Sequence, residues 1–167
     1  MSSGTPPSAV GLVVPDFSLP ATGGRAFRLS QLLGQAVVLY FYPKDSTPGC
    51  TTEAQQFRDR HADFVNAGAS LWGISRDSLK SHEGFKARLG LPFELLCDAD
   101  ETACALFDVI KLKNMYGRQV RGIERSTFLI DRAGRLAHEW RGVKVDGHAD
   151  AVLAALHSLP PARIAPT

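Results

Sequence analysis

The feature that most constrains the fold of this chain is the apolar run AVVLYFY, which covers residues 36–42. An uninterrupted run of β-branched, aliphatic and aromatic residues is typical of a strand covered on both faces, because a strand with one solvated face alternates apolar and polar residues. The run is also much shorter than the roughly 20 residues that a membrane-spanning helix needs. We therefore expect a central strand inside a layered domain, with no association with a membrane.

Strand-like and helix-like segments alternate after this run. The segments 69–75 and 93–97 predict two more strands, and 125–131 with 135–142 predict a hairpin. Two short apolar pieces around Gly23 and Gly24 predict a further hairpin or an extended arm before the central strand. Helices are predicted from Thr47 to a stop before Gly68, and at 78–89, 101–107 and 148–159, while 111–122 is predicted to be a loop whose basic residues form a solvated face.

This order of elements predicts the α/β class and a thioredoxin-like fold. A mixed central β-sheet should carry helices on both faces and be preceded by an N-terminal extension. We expect a flexible N-terminus at 1–10, a single domain at 11–159 and a flexible C-terminal tail at 160–167, since the Pro- and Ser-rich ends lack periodicity. In open sheets of this kind, sites form beyond the carboxyl ends of the central strands.

Composition narrows the range of functions. The 167 residues carry a formal net charge of only +2, with basic and acidic residues interspersed, so no basic patch points to a nucleic acid. Three cysteines are too few for a disulfide framework and fit a reducing compartment. Because the first ten residues lack the pattern of a signal peptide, we expect a cytoplasmic protein that acts on small molecules.

The segment FYPKDSTPGC, which follows the central strand, contains the most informative cysteine. With Thr47 as the N-cap and Pro48 at the first helical position, Cys50 would occupy the first turn of a helix. Unpaired amides and the positive end of the helix dipole favour a thiolate there. Glu53, one turn later, would oppose that thiolate unless it is engaged elsewhere, and its expected partner is an arginine.

Two other interpretations of these residues are weaker. Cys50 could be a core thiol, but the Thr-Pro-Gly-Cys helix start favours a nucleophile, and a Cys-His hydrolase would need a histidine nearby that the sequence does not indicate. The spacing of the other cysteines does not match a zinc site, so no metal is expected. No role is assigned to the histidines: His61 falls on the apolar face of the Cys50 helix, and surface positions are expected for His82, His138, His148 and His157.

The pattern Pro43-x-x-x-Thr47-x-x-Cys50 matches the active-site signature of the peroxiredoxins, which are AhpC/TSA-like thiol peroxidases. The segments FYPKDSTPGCTTEAQQF, PDFSLP, GISRDS and RSTFLIDRAGRL resemble the peroxiredoxin Q branch, also called bacterioferritin co-migratory protein. The resemblance implies that the Cys50 thiolate attacks peroxide while Thr47, Pro43 and Arg125 orient the reactants. It also implies that the enzyme needs no cofactor, acts on hydrogen peroxide and organic hydroperoxides, uses a thiol reductant such as thioredoxin, glutaredoxin or glutathione, and is monomeric.

The sequence departs from this family in its resolving cysteine. Gln55 stands where many members of the branch carry that cysteine, and the predicted helix at 78–89 contains none. Cys97 and Cys104 remain as candidates, but each is better explained as a core thiol. We therefore expect an external thiol to reduce the Cys50 sulfenic acid. The alternative is a redox-sensing or chaperone module without turnover, and a disulfide reductase is disfavoured because a CxxC pair is missing.

Overall fold

The computed structural model of the protein describes residues 9–160. Strands and helices alternate through the first two-thirds of this region, and strands dominate after it. The strands are β1 (Ser18–Ala21), β2 (Arg25–Arg28), β3 (Ala36–Phe41), β4 (Ala69–Ser75), β5 (Glu94–Cys97), β6 (Ile110–Met115), β7 (Arg118–Ile123), β8 (Ser126–Ile130) and β9 (Leu136–Arg141). The helices are a 3-10 turn at Leu29–Leu32, α1 (Pro48–Asn66), α2 (Leu79–Leu89), α3 (Thr102–Phe107) and α4 (His148–His157).

Seven strands form one mixed sheet in the order β2-β1-β5-β4-β3-β8-β9. The strands β3, β4 and β5 run parallel, and the flanking pairs are antiparallel. Every residue of β3 is buried, as the uninterrupted apolar run predicts. The thioredoxin-like mixed sheet predicted from the sequence is thereby confirmed, and β1 and β2 form the predicted N-terminal hairpin.

Alternate side chains of β3 enter two separate hydrophobic clusters, one on each face of the sheet. Val37, Leu39 and Phe41 pack in one cluster with side chains of α3 and of the N-terminal hairpin. Val38 and Tyr40 pack in the other cluster, which α1, α2 and α4 cover with Phe57, Phe64, Phe85, Val152 and Leu156. Helices therefore lie on both faces of the sheet, and the carboxyl end of β3 leads directly into α1.

Two local predictions are wrong. The predicted loop at 111–122 is a hairpin, because β6 and β7 pair as a separate two-stranded sheet that turns at Tyr116 and Gly117, both with positive φ. Its apolar residues Leu112 and Val120 are exposed, so the strands bury no face that a sequence pattern would reveal. The helical spacing of Ala54, Phe57, His61, Phe64 and Val65 also predicts a single buried face for α1, but Val65 is exposed at the last turn of that helix.

The described residues carry no helix that is both long and apolar enough to cross a membrane. The predicted flexible ends at 1–10 and 160–167 fall almost wholly outside these residues. They stay predictions, as does the assignment of 11–159 to a single domain.

Candidate active site

The first turn of α1 holds Cys50, at the end of the loop that follows β3. Thr47 is the N-cap residue in an extended conformation, and Pro48 begins the helix. Cys50 is 1% exposed and packs in the cluster formed by Tyr40, Phe57 and their neighbours. The sequence-based expectation of a cysteine near a helix N-terminus is therefore correct, and its sulfur is shielded from bulk water.

The hydroxyl of Thr47 does not cap this helix. Thr47 Oγ1 donates to the carbonyl of Lys44 at 2.8 Å, and no side-chain cap bond is formed at the start of α1. The amides of the first turn therefore keep the unpaired character that makes a helix N-terminus attractive to an anion. The position predicted for Thr47, at the N-cap of the helix, is correct.

Arg125 reaches Cys50 because of how two strands pair. Arg125 directly precedes β8, and Ser126, the first residue of β8, is paired with Phe41, the last residue of β3. The guanidinium Nη1 lies 3.5 Å from Cys50 Sγ. A side chain at Gly49 would crowd this contact, since a Cβ there would stand 3.0 Å from Arg125 Nη2.

The same guanidinium binds Glu53, as the sequence predicts for an arginine. Arg125 Nη1 donates to Glu53 Oε1 at 2.7 Å, while the second carboxylate oxygen, Oε2, is buried without a hydrogen-bond partner in the described structure. Burial raises the pKa of Glu53 to about 7, although the charge and hydrogen bond of Arg125 oppose that change. The Tyr40 hydroxyl is also buried, with no hydrogen-bond partner among residues 9–160, and burial raises its pKa well above the usual range.

A buried hydrogen-bond network fixes the loop between β3 and α1. Asp45 accepts from Tyr42 Oη at 2.6 Å and from Ser81 Oγ at 2.8 Å, and its Oδ2 lies 2.7 Å from His82 Nδ1. Burial alone would raise the pKa of Asp45, but the hydrogen bonds from His82 and Tyr42 hold it below its ordinary value. The backbone amide of Asp45 donates to Asp77 at 2.9 Å. The loop that carries Pro43 and Thr47 is thus tied to α2 and to the segment between β4 and α2.

His82 was predicted to lie at the surface and is instead fully buried. The sequence contained a signal for this burial, because His82 stands three residues before Phe85 and therefore lies on the same face of α2, the face that packs into the core. Each of Asp45, Asp77 and His82 has one atom that could ligate a metal ion, and these three atoms lie within 4.8 Å of one another. A cation could be bound at this spacing. These groups already bond to each other or to nearby hydroxyl and amide groups, so we interpret them as a network that holds the loop.

His148 was also predicted at the surface, and this expectation is wrong. It begins α4, is 5% exposed, and its Nε2 lies 2.7 Å from Thr127 Oγ1 on β8. Burial, and then the charge of Arg125, lower its pKa to about 4. Near neutral pH this ring is therefore uncharged and adds no second cation to the site.

The two other cysteines lie apart from Cys50 and, like it, are free thiols. Cys104 is fully buried in α3, in the cluster on the opposite face of the sheet, and burial followed by the nearby Asp98 raises its pKa well above the ordinary range. Cys97 ends β5, which β4 separates from β3, and it is only partly buried. The structure therefore brings together Cys50, Glu53 and Arg125 and places neither of the other thiols with them.

A scan against family models matches residues 10–139 to the AhpC/TSA family. The chain belongs to the AhpC/TSA family. Peroxiredoxin Bcp of Xanthomonas campestris is 56% identical over 141 residues, which cover 84% of this chain and 88% of that protein. Peroxiredoxin Bcp of Bacillus subtilis is 48% identical over 150 residues, covering 90% and 96% respectively.

Solved structures agree with this membership. Peroxiredoxin Q of Xanthomonas campestris superposes with a TM-score of 0.83 at 54% identity, covering 88% of this chain and 96% of that one. The bacterioferritin comigratory protein of the same organism, studied for alkyl peroxide reduction, gives 0.83 at 53% identity over 89% and 97% of the two chains. The resemblance to the peroxiredoxin Q branch is confirmed, and with it the enzyme class of thiol-dependent peroxidase.

Proposed function

We propose that this AhpC/TSA family member reduces hydrogen peroxide and organic hydroperoxides to water and alcohols, with Cys50 as the nucleophile. The contact of Arg125 with both Cys50 and Glu53 carries this assignment. A guanidinium that donates to the buried side chain of Glu53 has little freedom to turn away, so it stays aimed at the sulfur. The relative from Xanthomonas campestris that was studied for alkyl peroxide reduction supports the organic hydroperoxides as substrates.

The chemistry is a two-electron displacement. The Cys50 thiolate attacks the terminal peroxide oxygen, so that an S–O bond forms as the O–O bond breaks. The electron pair of that bond leaves on an alkoxide or hydroxide, which takes up a proton. The sulfur is oxidised to a sulfenic acid and the peroxide is reduced. Arg125 donates hydrogen bonds to the reacting atoms during the whole displacement. Because this donor is already in position before the reaction starts, it lowers the activation barrier.

Thr47 and Pro43 complete the proposed site. The Thr47 hydroxyl donates to Lys44, but its oxygen still has lone pairs that can accept the O–H of a bound peroxide. Pro43 is half-buried at the start of the loop and limits the access of water. The first-turn amides of α1 provide further donors for the peroxide. Glu53 supports the site through Arg125.

The second substrate in this proposal is an external thiol. A thiol attacks the Cys50 sulfenic acid and releases water to form a mixed disulfide, and a second thiol then regenerates the Cys50 thiol. Cys104 is a poor resolving group, because the sheet lies between it and Cys50 and its thiol is fully buried. The identity of the reductant, whether thioredoxin, glutaredoxin or glutathione, stays a prediction from the sequence, as do the monomeric state and the cytoplasmic location.

The proposal is tested by peroxide consumption in the presence of excess dithiothreitol. The wild-type protein and a Cys97→Ser variant should consume peroxide at similar rates, whereas Cys50→Ser should match the rate of dithiothreitol alone. Cys97→Ser is the matched control, since it removes a partly buried thiol outside the site. Equal rates for wild type and Cys50→Ser would disprove the assignment of the nucleophile.

A further inference from the structure

Two acidic groups share one cation in the buried site. Cys50 and Glu53 are one helical turn apart on α1, and both are at most 1% exposed. A single nitrogen, Arg125 Nη1, lies 2.7 Å from Glu53 Oε1 and 3.5 Å from Cys50 Sγ. If the cysteine and the glutamate were both ionised, two negative charges would face one positive charge.

The groups that surround this trio do not change that balance. From β3, Tyr40 presents a phenol that stays neutral because burial raises its pKa. From α4, His148 faces Arg125 as a neutral ring above a pKa of about 4. Asp45, in the loop before α1, is held by His82 and by the hydroxyls of Tyr42 and Ser81. Among residues 9–160, Arg125 is therefore the cation that compensates this pocket.

Burial makes an uncompensated second charge costly. An ionised carboxylate away from water needs hydrogen bonds on both oxygens, whereas Glu53 Oε2 has no partner in the described structure. Two like charges that interact this closely lose their protons in separate steps. The pocket therefore favours states with one negative charge, which rests on either the sulfur or the carboxylate.

We propose that Cys50 and Glu53 share one negative charge, which Arg125 compensates. Glu53 holds a proton while Cys50 is a thiolate, and Glu53 releases that proton when the sulfur is oxidised. This inference rests on the proposed function, since it requires oxidation of Cys50 by peroxide. Glu53 is then a proton reservoir linked to the redox state of the sulfur, in addition to its role as a partner that orients Arg125.

The reaction balances with this proton included. The thiolate, the protonated Glu53 and one hydroperoxide give the Cys50 sulfenic acid, the Glu53 carboxylate and one alcohol. The S–O bond forms, the O–O bond breaks, the sulfur gives up two electrons, and the proton lost by Glu53 balances the one that the leaving alkoxide takes. No direct transfer is required, because both protons can exchange with water.

The pH range of this exchange follows from the same charges. With Arg125 beside it, burial raises the pKa of Glu53 to about 7, and a thiolate one turn away raises it further. The reduced enzyme thus keeps the proton on Glu53 to a higher pH than the sulfenic acid form does. The protonation of Glu53 therefore differs most between the reduced form and the sulfenic acid form at and just above neutral pH.

Proton uptake during oxidation measures this linkage directly. One equivalent of hydrogen peroxide is added to the reduced protein in weak buffer with a pH indicator, and the sulfenic acid formed is counted by mass spectrometry. Glu53→Gln keeps an oxygen for Arg125 but carries no exchangeable acidic proton, so its uptake should approach one proton per thiolate oxidised. The wild type should take up less, with the largest deficit between about pH 7 and about pH 8, where the two forms of Glu53 differ.

The control is Glu139→Gln, which removes a carboxylate of β9 that is paired with Arg141 outside the site. Glu139→Gln should show the same deficit in proton uptake as the wild type. Equal proton uptake by wild type and Glu53→Gln at every pH from about 6 to about 9 would overturn the proposal. Failure of the proposed function itself is distinguishable, because no sulfenic acid would then form at Cys50.

A second measurement needs no variant and applies even if Glu53→Gln fails to fold. Infrared difference spectra of the wild-type protein, with and without carbon-13 labelled glutamate, are recorded before and after oxidation slightly above neutral pH. Oxidation should remove a carboxylic acid band and add a carboxylate band, both shifted by the label. An unchanged carboxyl region after complete formation of the sulfenic acid would contradict the linkage.

Discussion

Cys50 and Cys104 are buried on opposite faces of the same sheet. Cys50 packs with Val38 and Tyr40, whereas Cys104 packs with Leu39 and Phe41, the alternate side chains of β3. A disulfide needs Cα atoms within about 7 Å, so this pair could join only after a large local unfolding. That separation argues against Cys104 as the resolving thiol and supports the resolving step proposed for this chain, attack by an external thiol.

The double variant Cys97→Ser, Cys104→Ser should therefore keep most of its peroxidase activity with dithiothreitol. Neither thiol takes part in peroxide attack, and the loss of Cys104 removes only a small buried group. The check is the steady-state rate of peroxide consumption, with the thermal midpoint as a control for folding. A folded double variant that lost most of its turnover would show that one of these thiols resolves the sulfenic acid.

Arg125→Met should lower the second-order rate constant for peroxide reduction by at least about 10-fold, which is about 1.4 kcal/mol of transition-state stabilisation. Methionine preserves much of the length of the side chain but donates no hydrogen bond to Cys50 or Glu53. Arg118→Met, an exposed arginine of β7, is the matched control and should leave the rate unchanged. If both variants reacted at the wild-type rate, the role assigned to Arg125 would be wrong.

His82→Ala should reduce the free energy of unfolding by about 2–4 kcal/mol, because it opens a cavity and removes a hydrogen bond from the buried carboxylate of Asp45. It should also slow peroxide reduction, since Asp45 anchors the loop that presents Thr47. Urea unfolding measures the first effect. His157→Ala, at the exposed end of α4, should change neither quantity. Identical unfolding curves for the two variants would refute the role of this network.

Local signals in the sequence were sufficient to predict the elements that carry the site. The uninterrupted apolar run predicted β3, and Thr47 with Pro48 predicted the start of α1, because a buried strand and a helix start depend on adjacent residues. The arginine partner of Glu53 was also expected, since a carboxylate one turn from a thiolate needs a compensating cation. These predictions depend on short-range rules or on charge balance alone.

The predictions that failed depend on contacts between distant segments. His82 bonds to Asp45, 37 residues earlier, and His148 to Thr127, 21 residues earlier, so neither partner can be identified from the neighbouring sequence. The hairpin of β6 and β7 was missed because its strands expose most of their side chains and lack a buried alternation. The Glu53 oxygen that has no hydrogen-bond partner among residues 9–160 likewise becomes visible only once the packing of β3 and α1 is known.

His148 should make the protein sensitive to acid. Its pKa in the folded protein is lowered to about 4, below the ordinary value of 6.5, so the folded state disfavours the charged ring. The stability gained from the neutral ring is present above pH 6.5 and is lost as the pH falls towards 4. The loss is on the order of 3 kcal/mol, since each unit by which a pKa differs between the folded and unfolded states is worth about 1.4 kcal/mol.

His148→Gln can still bond Thr127 but cannot become charged, so its free energy of unfolding should fall less steeply over this range than that of the wild type. Urea unfolding at a series of pH values gives the two slopes, and His157→Gln should keep the slope of the wild type. Parallel curves for wild type and His148→Gln would show that His148 does not set the acid sensitivity.

The most direct test of the whole account is mass spectrometry of the protein after one equivalent of hydrogen peroxide, with and without a trap for sulfenic acids. We predict one added oxygen on the peptide that contains Cys50, its capture by the trap, and its removal by an added small thiol, with Cys97 and Cys104 still reduced. Peptide mapping that found a disulfide between Cys50 and either of them, or no oxidation of Cys50 at all, would contradict the account.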